Sequence, residues 1–226
     1  MRIEFCISSI EGAIAAQKWR ADRVELCRCL SEDGLTPGRK LIKKSKESYS
    51  GDIHVMIRPV EGAFVASKQV LYKMKDEISM AYHMNVKGVV FGVLDSENKI
   101  DIPANKLLFE YANLLGLKTT FHRAFDLVPN PFQAMENIIS IGFHRILTSG
   151  ANPMVINGMD VLKEMVNRAN KRIEIMAGGG VNHVNILELQ RVNVDAVHFS
   201  IHNKEKGEDV IEDSKIAKIL RNIRGV

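Results

Sequence analysis

Short runs rich in β-branched and aromatic residues recur eight times along this chain, separated by longer segments whose apolar residues have helical spacing. That alternation predicts parallel strands joined by helical crossovers. The expected strands are Arg2–Ile7, Arg23–Cys27, Ile53–Arg58, Gly88–Gly92, Lys118–His122, Arg145–Thr148, Arg172–Met176 and Asp195–Ser200, none broken by proline. Helical spacing shows in Val70, Leu71, Met74, Ile78 and Ala81, and again in Ile138, Ile139 and Ile141. Start signals agree: Ser9 precedes Ile10, Pro103 and Pro131 open helices, and Asp213-Ser214 precedes Ile216, Ile219, Leu220 and Ile223.

Eight such units is the count at which a parallel sheet closes around an interior filled by its own side chains. The strand pattern favours closure over an open sheet. Open parallel strands, covered on both faces, read as continuous apolar runs. Here Ile3/Phe5, Val24/Leu26, Val55/Ile57, Ile173/Ile175 and Val197/Phe199 alternate with polar partners. The expected fold is therefore α/β, a single compact (β/α)8 TIM barrel over residues 1–226. Glu4, Glu25, His54, Arg58, His122, Glu174 and His198 then point into its lumen. An unpaired ion there costs several kcal/mol or more, so this set must pair internally, shift its protonation or hold a ligand.

Composition narrows the partners. Thirty-one Lys+Arg against 27 Asp+Glu leave a net charge of only +4, scattered without a basic stripe, which argues against nucleic acid and acidic membranes. No stretch approaches the roughly 20 apolar residues of a spanning helix, and the start MRIEFCISSI carries no export pattern. Three cysteines are too few for a disulfide framework, so reduced thiols in the cytoplasm are expected. No nucleotide cofactor motif is present.

Function in such barrels gathers at the carboxyl ends of the strands and in the loops beyond. At the fifth strand end His122, Arg123 and Asp126 bring together groups able to bind an anion and move a proton, or else a salt-bridge network that only fixes the loop. Gly178, Gly179 and Gly180 precede a helix expected near Asn182 and offer backbone N–H groups to an anion, with Thr148 and Ser149 as further donors; a tight turn is the plainer reading. Cys6 and Cys27 each follow a lumen glutamate by two residues, on adjacent strands and at similar height. Two close thiolates suit Cu(I) or, with further ligands, zinc, and Met56 or Met176 could add a thioether; two small apolar core residues are the alternative. His54 and Glu174 are expected as buried network members, whereas His198 lies beside strand one across the barrel closure. His83, His144, His183 and His202 are expected at the surface, and His202–Glu208 as a solvated loop.

Taken together, Glu4-Phe5-Cys6, Ala21–Cys27, Gly34-Leu35-Thr36-Pro37, His54–Pro59, Phe121–Asp126, Leu147–Gly150, Gly178–Gly180 and Val197–Ser200 resemble the co-linear motifs of the CutC family of copper homeostasis proteins. The resemblance implies a cytosolic (β/α)8 barrel linked to copper, with Cys6 and Cys27 at the positions of proposed Cu(I) ligands. Asp33 stands where a second glycine usually precedes Leu-Thr-Pro.

Two functions follow as expectations. One is a copper homeostasis protein holding Cu(I) through Cys6 and Cys27. The other is an enzyme using acid/base chemistry on a small anionic or phosphorylated metabolite, with Glu25, His122 or Asp126 moving the proton. Its ligand contacts would be Glu4, Arg58, Arg123, Thr148, Ser149, the three glycines and His198. A homo-oligomer, dimer or tetramer, is expected for either.

Overall fold

In the computed structural model, which describes residues 1–203 and 206–225, eight parallel strands close into a barrel in sequence order. They are β1 (Arg2–Ile7), β2 (Arg23–Leu26), β3 (Asp52–Met56), β4 (Gly88–Phe91), β5 (Lys118–Phe121), β6 (Arg145–Thr148), β7 (Glu174–Ala177) and β8 (Ala196–Ser200). Closure is made by β1 against β8, with Glu4 level with His198 and Cys6 level with Ser200.

Helices α1 (Ile10–Lys18), α2 (Arg39–Ser48), α3 (Lys68–His83), α4 (Ile102–Leu114), α5 (Pro131–Ile141), α6 (Met159–Ala169), α7 (Ile186–Val192) and α8 (Asp213–Arg224) surround the barrel. Their starts follow the sequence signals. Ser9 caps α1 by accepting from Gly12 N, Asp101 caps α4 ahead of Pro103, and Asn130 caps α5 ahead of Pro131. Each helix buries one stripe, such as Met74, Ile78 and Ala81 of α3, against outward strand residues such as Val55, Val89 and Phe91.

Three expectations are corrected. Arg172 does not begin a strand: its guanidinium turns to the Glu136 carboxylate and to the carbonyls of Arg168 and Ala169, so β7 starts at Glu174. The helix expected near Asn182 starts at Ile186, because Asn182 Oδ1 accepts from the N–H groups of Val184 and Asn185 and holds a turn there instead. The run expected as a solvated loop forms a two-stranded hairpin, β9 (His202–Asn203) with β10 (Gly207–Ile211); Lys204 and Glu205 of that run lie outside the described residues.

His202 is accordingly not a surface residue. It is 2% exposed, its Nε2 accepts from Ser8 N, and its ring approaches the backbone of Gly12. Glu208 Oε1 accepts from Leu30 N, which ties the hairpin to the loop after β2. Among the described residues no helix is long and apolar enough to cross a membrane.

Candidate metal centre in the barrel lumen

Period-two alternation aims Glu4 and Cys6 of β1, Arg23 and Glu25 of β2, His54 and Met56 of β3, and His198 of β8 at the axis. The lower lumen is an ion-pair network. Arg23 Nε donates to Glu4, and Arg23 Nη2 donates to Glu174 Oε1 at 3.1 Å and to Met176 Sδ at 3.3 Å. Arg145 donates to Glu174 Oε2 at 3.3 Å, to His54 Nδ1 at 3.2 Å and to Thr120 Oγ1 at 2.8 Å. Burial pushes the Glu4 carboxyl up, but Arg23 and His198 outweigh it and hold it well below the usual carboxylate range. Burial, reinforced by the charge of Arg145, keeps His54 neutral.

Arg23 and Arg145 are the members that sequence reasoning missed. Arg23 lies two residues before Glu25, on the same face, and a lumen carboxylate requires a cation, so that signal was present. Arg145 opens its strand, where nothing in the sequence separates it from a surface arginine.

Above this floor Cys6, Cys27, Met56 and Val90 pack together. The strand register sets Cys6 level with Glu25, so Cys27 stands above Cys6 and not at its height. The slant of the strands nevertheless brings the two Sγ atoms to 3.9 Å. Cys6 Sγ donates to Glu25 Oε1 at 3.6 Å, and Cys27 Sγ donates to the Ile7 carbonyl at 3.7 Å. The hydrogen bond to Cys27, burial and the neighbouring charges push the Cys6 thiol well up. Gly34, at φ +85°, lies over the pair, where a Cβ would stand 3.4 Å from both Cys27 Sγ and Met56 Cε. Of the two candidate thioethers, Met56 joins the sulfurs, whereas Met176 accepts from Arg23 below them. Cys29 lies apart in the loop, half-buried, and accepts from Arg28.

His198 completes the group. Its Nδ1 meets Glu4 Oε1 at 2.8 Å, which turns Nε2 toward Glu25 Oε1 at 3.9 Å. Donor atoms of Cys6, Glu25 and His198 all lie within 4.8 Å of one another, and all three residues are buried. Burial opposes a charge on His198, yet the Glu25 carboxylate and hydrogen bonds to Cys6 and Glu4 raise its pKa well above the ordinary value. Burial raises Glu25 in turn, only partly offset by His198. Glu25 Oε2 is buried without a hydrogen-bond partner among the described residues.

The remaining candidates sit on other loops and spend their polar atoms on one another. Asp126 accepts five hydrogen bonds, from Thr148 Oγ1, Ser149 N, Ser149 Oγ, Ala151 N and Arg123 Nε, which engages both carboxylate oxygens. Arg123 also donates to Ser149 Oγ and the Pro153 carbonyl, and its guanidinium lies over Gly179, where a Cβ would stand 3.0 Å from Cζ. Leu147 occupies the corresponding space at Gly178 and Met154 that at Gly180. Arg58 donates to the carbonyls of Glu32, Gly34 and Gly62 and stacks on Phe64 at 4.7 Å. His122 Nδ1 accepts from Ala124 N, and burial together with the charge of Arg58 pushes its pKa down to about 3.

Comparison with known proteins gives one consistent match. A family model described as the CutC family matches residues 1–203. A CutC family protein of Vibrio parahaemolyticus is 43% identical over 199 residues, spanning 88% of this chain and 81% of that one. One of Histophilus somni is 42% identical over 201 residues, spanning 88% and 82%. A crystal structure of a candidate copper homeostasis protein CutC from Streptococcus agalactiae superposes with a TM-score of 0.82 at 33% identity, covering 88% of this chain and 98% of that one.

Proposed function

The chain belongs to the CutC family, and from that premise we propose that it serves copper homeostasis by holding Cu(I) between Cys6 and Cys27. One observation carries the reading: the 3.9 Å approach of two sulfurs on adjacent strand ends, above a floor whose charges are already paired. Thiolate is the soft donor that selects Cu(I), and Met56, Val90 and Leu30 pack as an apolar wall against the two sulfurs. Burial and the hydrogen bond to Cys27 hold the Cys6 thiol protonated, so loading exchanges its proton for the ion. The acid/base reading has less support, because the Asp126 oxygens and the Arg58 and Arg123 guanidiniums are committed to their own loops. The proposal includes a cytoplasmic setting, where thiols stay reduced, and a homo-oligomer, whose copy number native mass spectrometry would read.

The test is Cu(I) titration of the reduced protein against a competing chromophoric chelator. About one ion per chain is expected, lost when Cys6→Ser and Cys27→Ser are combined. Undiminished Cu(I) affinity in the double variant would remove the assigned site.

A further inference from the structure

We infer that the same part of the lumen also holds a three-donor site for a borderline divalent cation, zinc above all, with Cys6, His198 and Glu25 as ligands, a fourth position left to an exogenous donor, and Glu4 as the residue that positions His198. This rests on Cys6 being a metal-binding thiolate, as proposed above, but it adds two ligands that Cu(I) does not need.

Spacing is the first ground. With Zn–S about 2.3 Å and Zn–N or Zn–O about 2.1 Å, a tetrahedron has edges of about 3.8 Å between sulfurs, about 3.6 Å between sulfur and oxygen and about 3.4 Å between nitrogen and oxygen. The corresponding separations here are 3.6 Å for Cys6 to Glu25 and 3.9 Å for His198 Nε2 to Glu25, and the donor atoms of Cys6, Glu25 and His198 all lie within 4.8 Å of one another. A small inward shift of the His198 ring tightens this triangle to ligand spacing.

Orientation is the second. A metal-binding imidazole characteristically gives its other N–H to a carboxylate, which fixes the ring and the tautomer. Glu4 takes that part at 2.8 Å from Nδ1, and Arg23 in turn holds Glu4. The buried network beneath the sulfurs thereby acquires a purpose: it aims Nε2 at the other donors, where an arriving cation would take the place of its proton.

Unsatisfied chemistry is the third. Glu25 is 3% exposed and its Oε2 has no partner among the described residues, an expensive arrangement unless a proton or a cation completes it. Carboxylate is a poor ligand for Cu(I) and a good one for zinc, so a site meant for Cu(I) alone gains nothing from a glutamate in this position.

The experiment uses the full reduced chain, stripped of metal and titrated with Zn(II) and with Co(II), the latter as a spectroscopic stand-in. The expected results are one Zn(II) per chain, and a Co(II) adduct with intense tetrahedral visible bands and a thiolate charge-transfer band. Glu25→Gln should weaken Zn(II) at least about tenfold while Cu(I) affinity is kept, and Glu4→Gln should do so through the misplaced imidazole. Zinc-edge X-ray absorption of the parent protein, which needs no variant to fold, should give one sulfur ligand among lighter ones. An octahedral Co(II) spectrum, a sulfur-free zinc shell, or Glu25→Gln binding Zn(II) as tightly as the parent overturns the inference. Zinc failure with Cu(I) retained sinks this inference alone; Cu(I) failure with zinc retained sinks only the reading in the preceding subsection.

Discussion

Acidification should expose the cost of keeping His122 neutral. The residue is 4% exposed, lies edge-on to Phe64 at 4.9 Å between ring centroids, and has its pKa pushed down to about 3 by burial and the charge of Arg58. In the unfolded chain the imidazole returns to an ordinary value near 6.5. Between those values the unfolded state binds the proton and the folded state does not, so stability falls as pH falls through the window. The slope is about 1.4 kcal/mol per pH unit for one proton, or about 2.7 kcal/mol by pH 4.5. The comparison is His122→Asn, which keeps an acceptor for Ala124 N at this turn start but has nothing to titrate. Losing the ring lowers stability by a constant, so the slopes are compared and not the levels. Urea unfolding of both proteins at pH values from about 6 to about 4.5 should show the parent losing about 1.4 kcal/mol more per unit than the variant. Other groups, His54 included, titrate in both proteins and cancel. Parallel stability curves would refute a neutral, buried His122.

Two further outcomes follow from the ion pairs. Arg23→Met strands Glu4 in the lumen and should cost about 3–5 kcal/mol in urea unfolding, largely recovered by adding Glu4→Gln; a loss below about 1 kcal/mol would show that Arg23 does not compensate that charge. Asp126→Ala leaves five donors without their acceptor and should cost about 3 kcal/mol or more, with faster proteolysis between Ser149 and Met154; unchanged stability and protease resistance would contradict its anchoring part.

The barrel was readable because two signals agreed. Apolar residues at every second strand position, and helix starts at Ser9, Pro103 and Pro131, fixed both the order and the faces of the elements. Cys6, Glu25 and His198 could be placed on one inward surface for the same reason. What could not be read was pairing across the barrel. Arg145 reaching His54, and His198 reaching both Glu4 and Glu25, depend on strand stagger, which the pattern within each strand does not encode. The hairpin after β8 escaped because charged residues dominate it, and the burial of His202 comes from the backbone of Ser8 and Gly12. The glycine loop suggested an open cradle, but close approach by Arg123, Met154 and Leu147 also requires glycine, and composition cannot distinguish the two.

The interlocked arginines and glutamates under the sulfurs turn the barrel into a cul-de-sac. Whatever settles on Cys6 and Cys27 must leave by the door through which it came, since the opposite end is plugged by Arg23, Glu4, Arg145 and Glu174 in mutual contact. A through-flow channel is thus ruled out by architecture. Under the proposed Cu(I) role, delivery and withdrawal would share that single end, so an acceptor positioned there could take the ion while a barrel sulfur still holds it, and the rate of transfer would then rise with acceptor concentration.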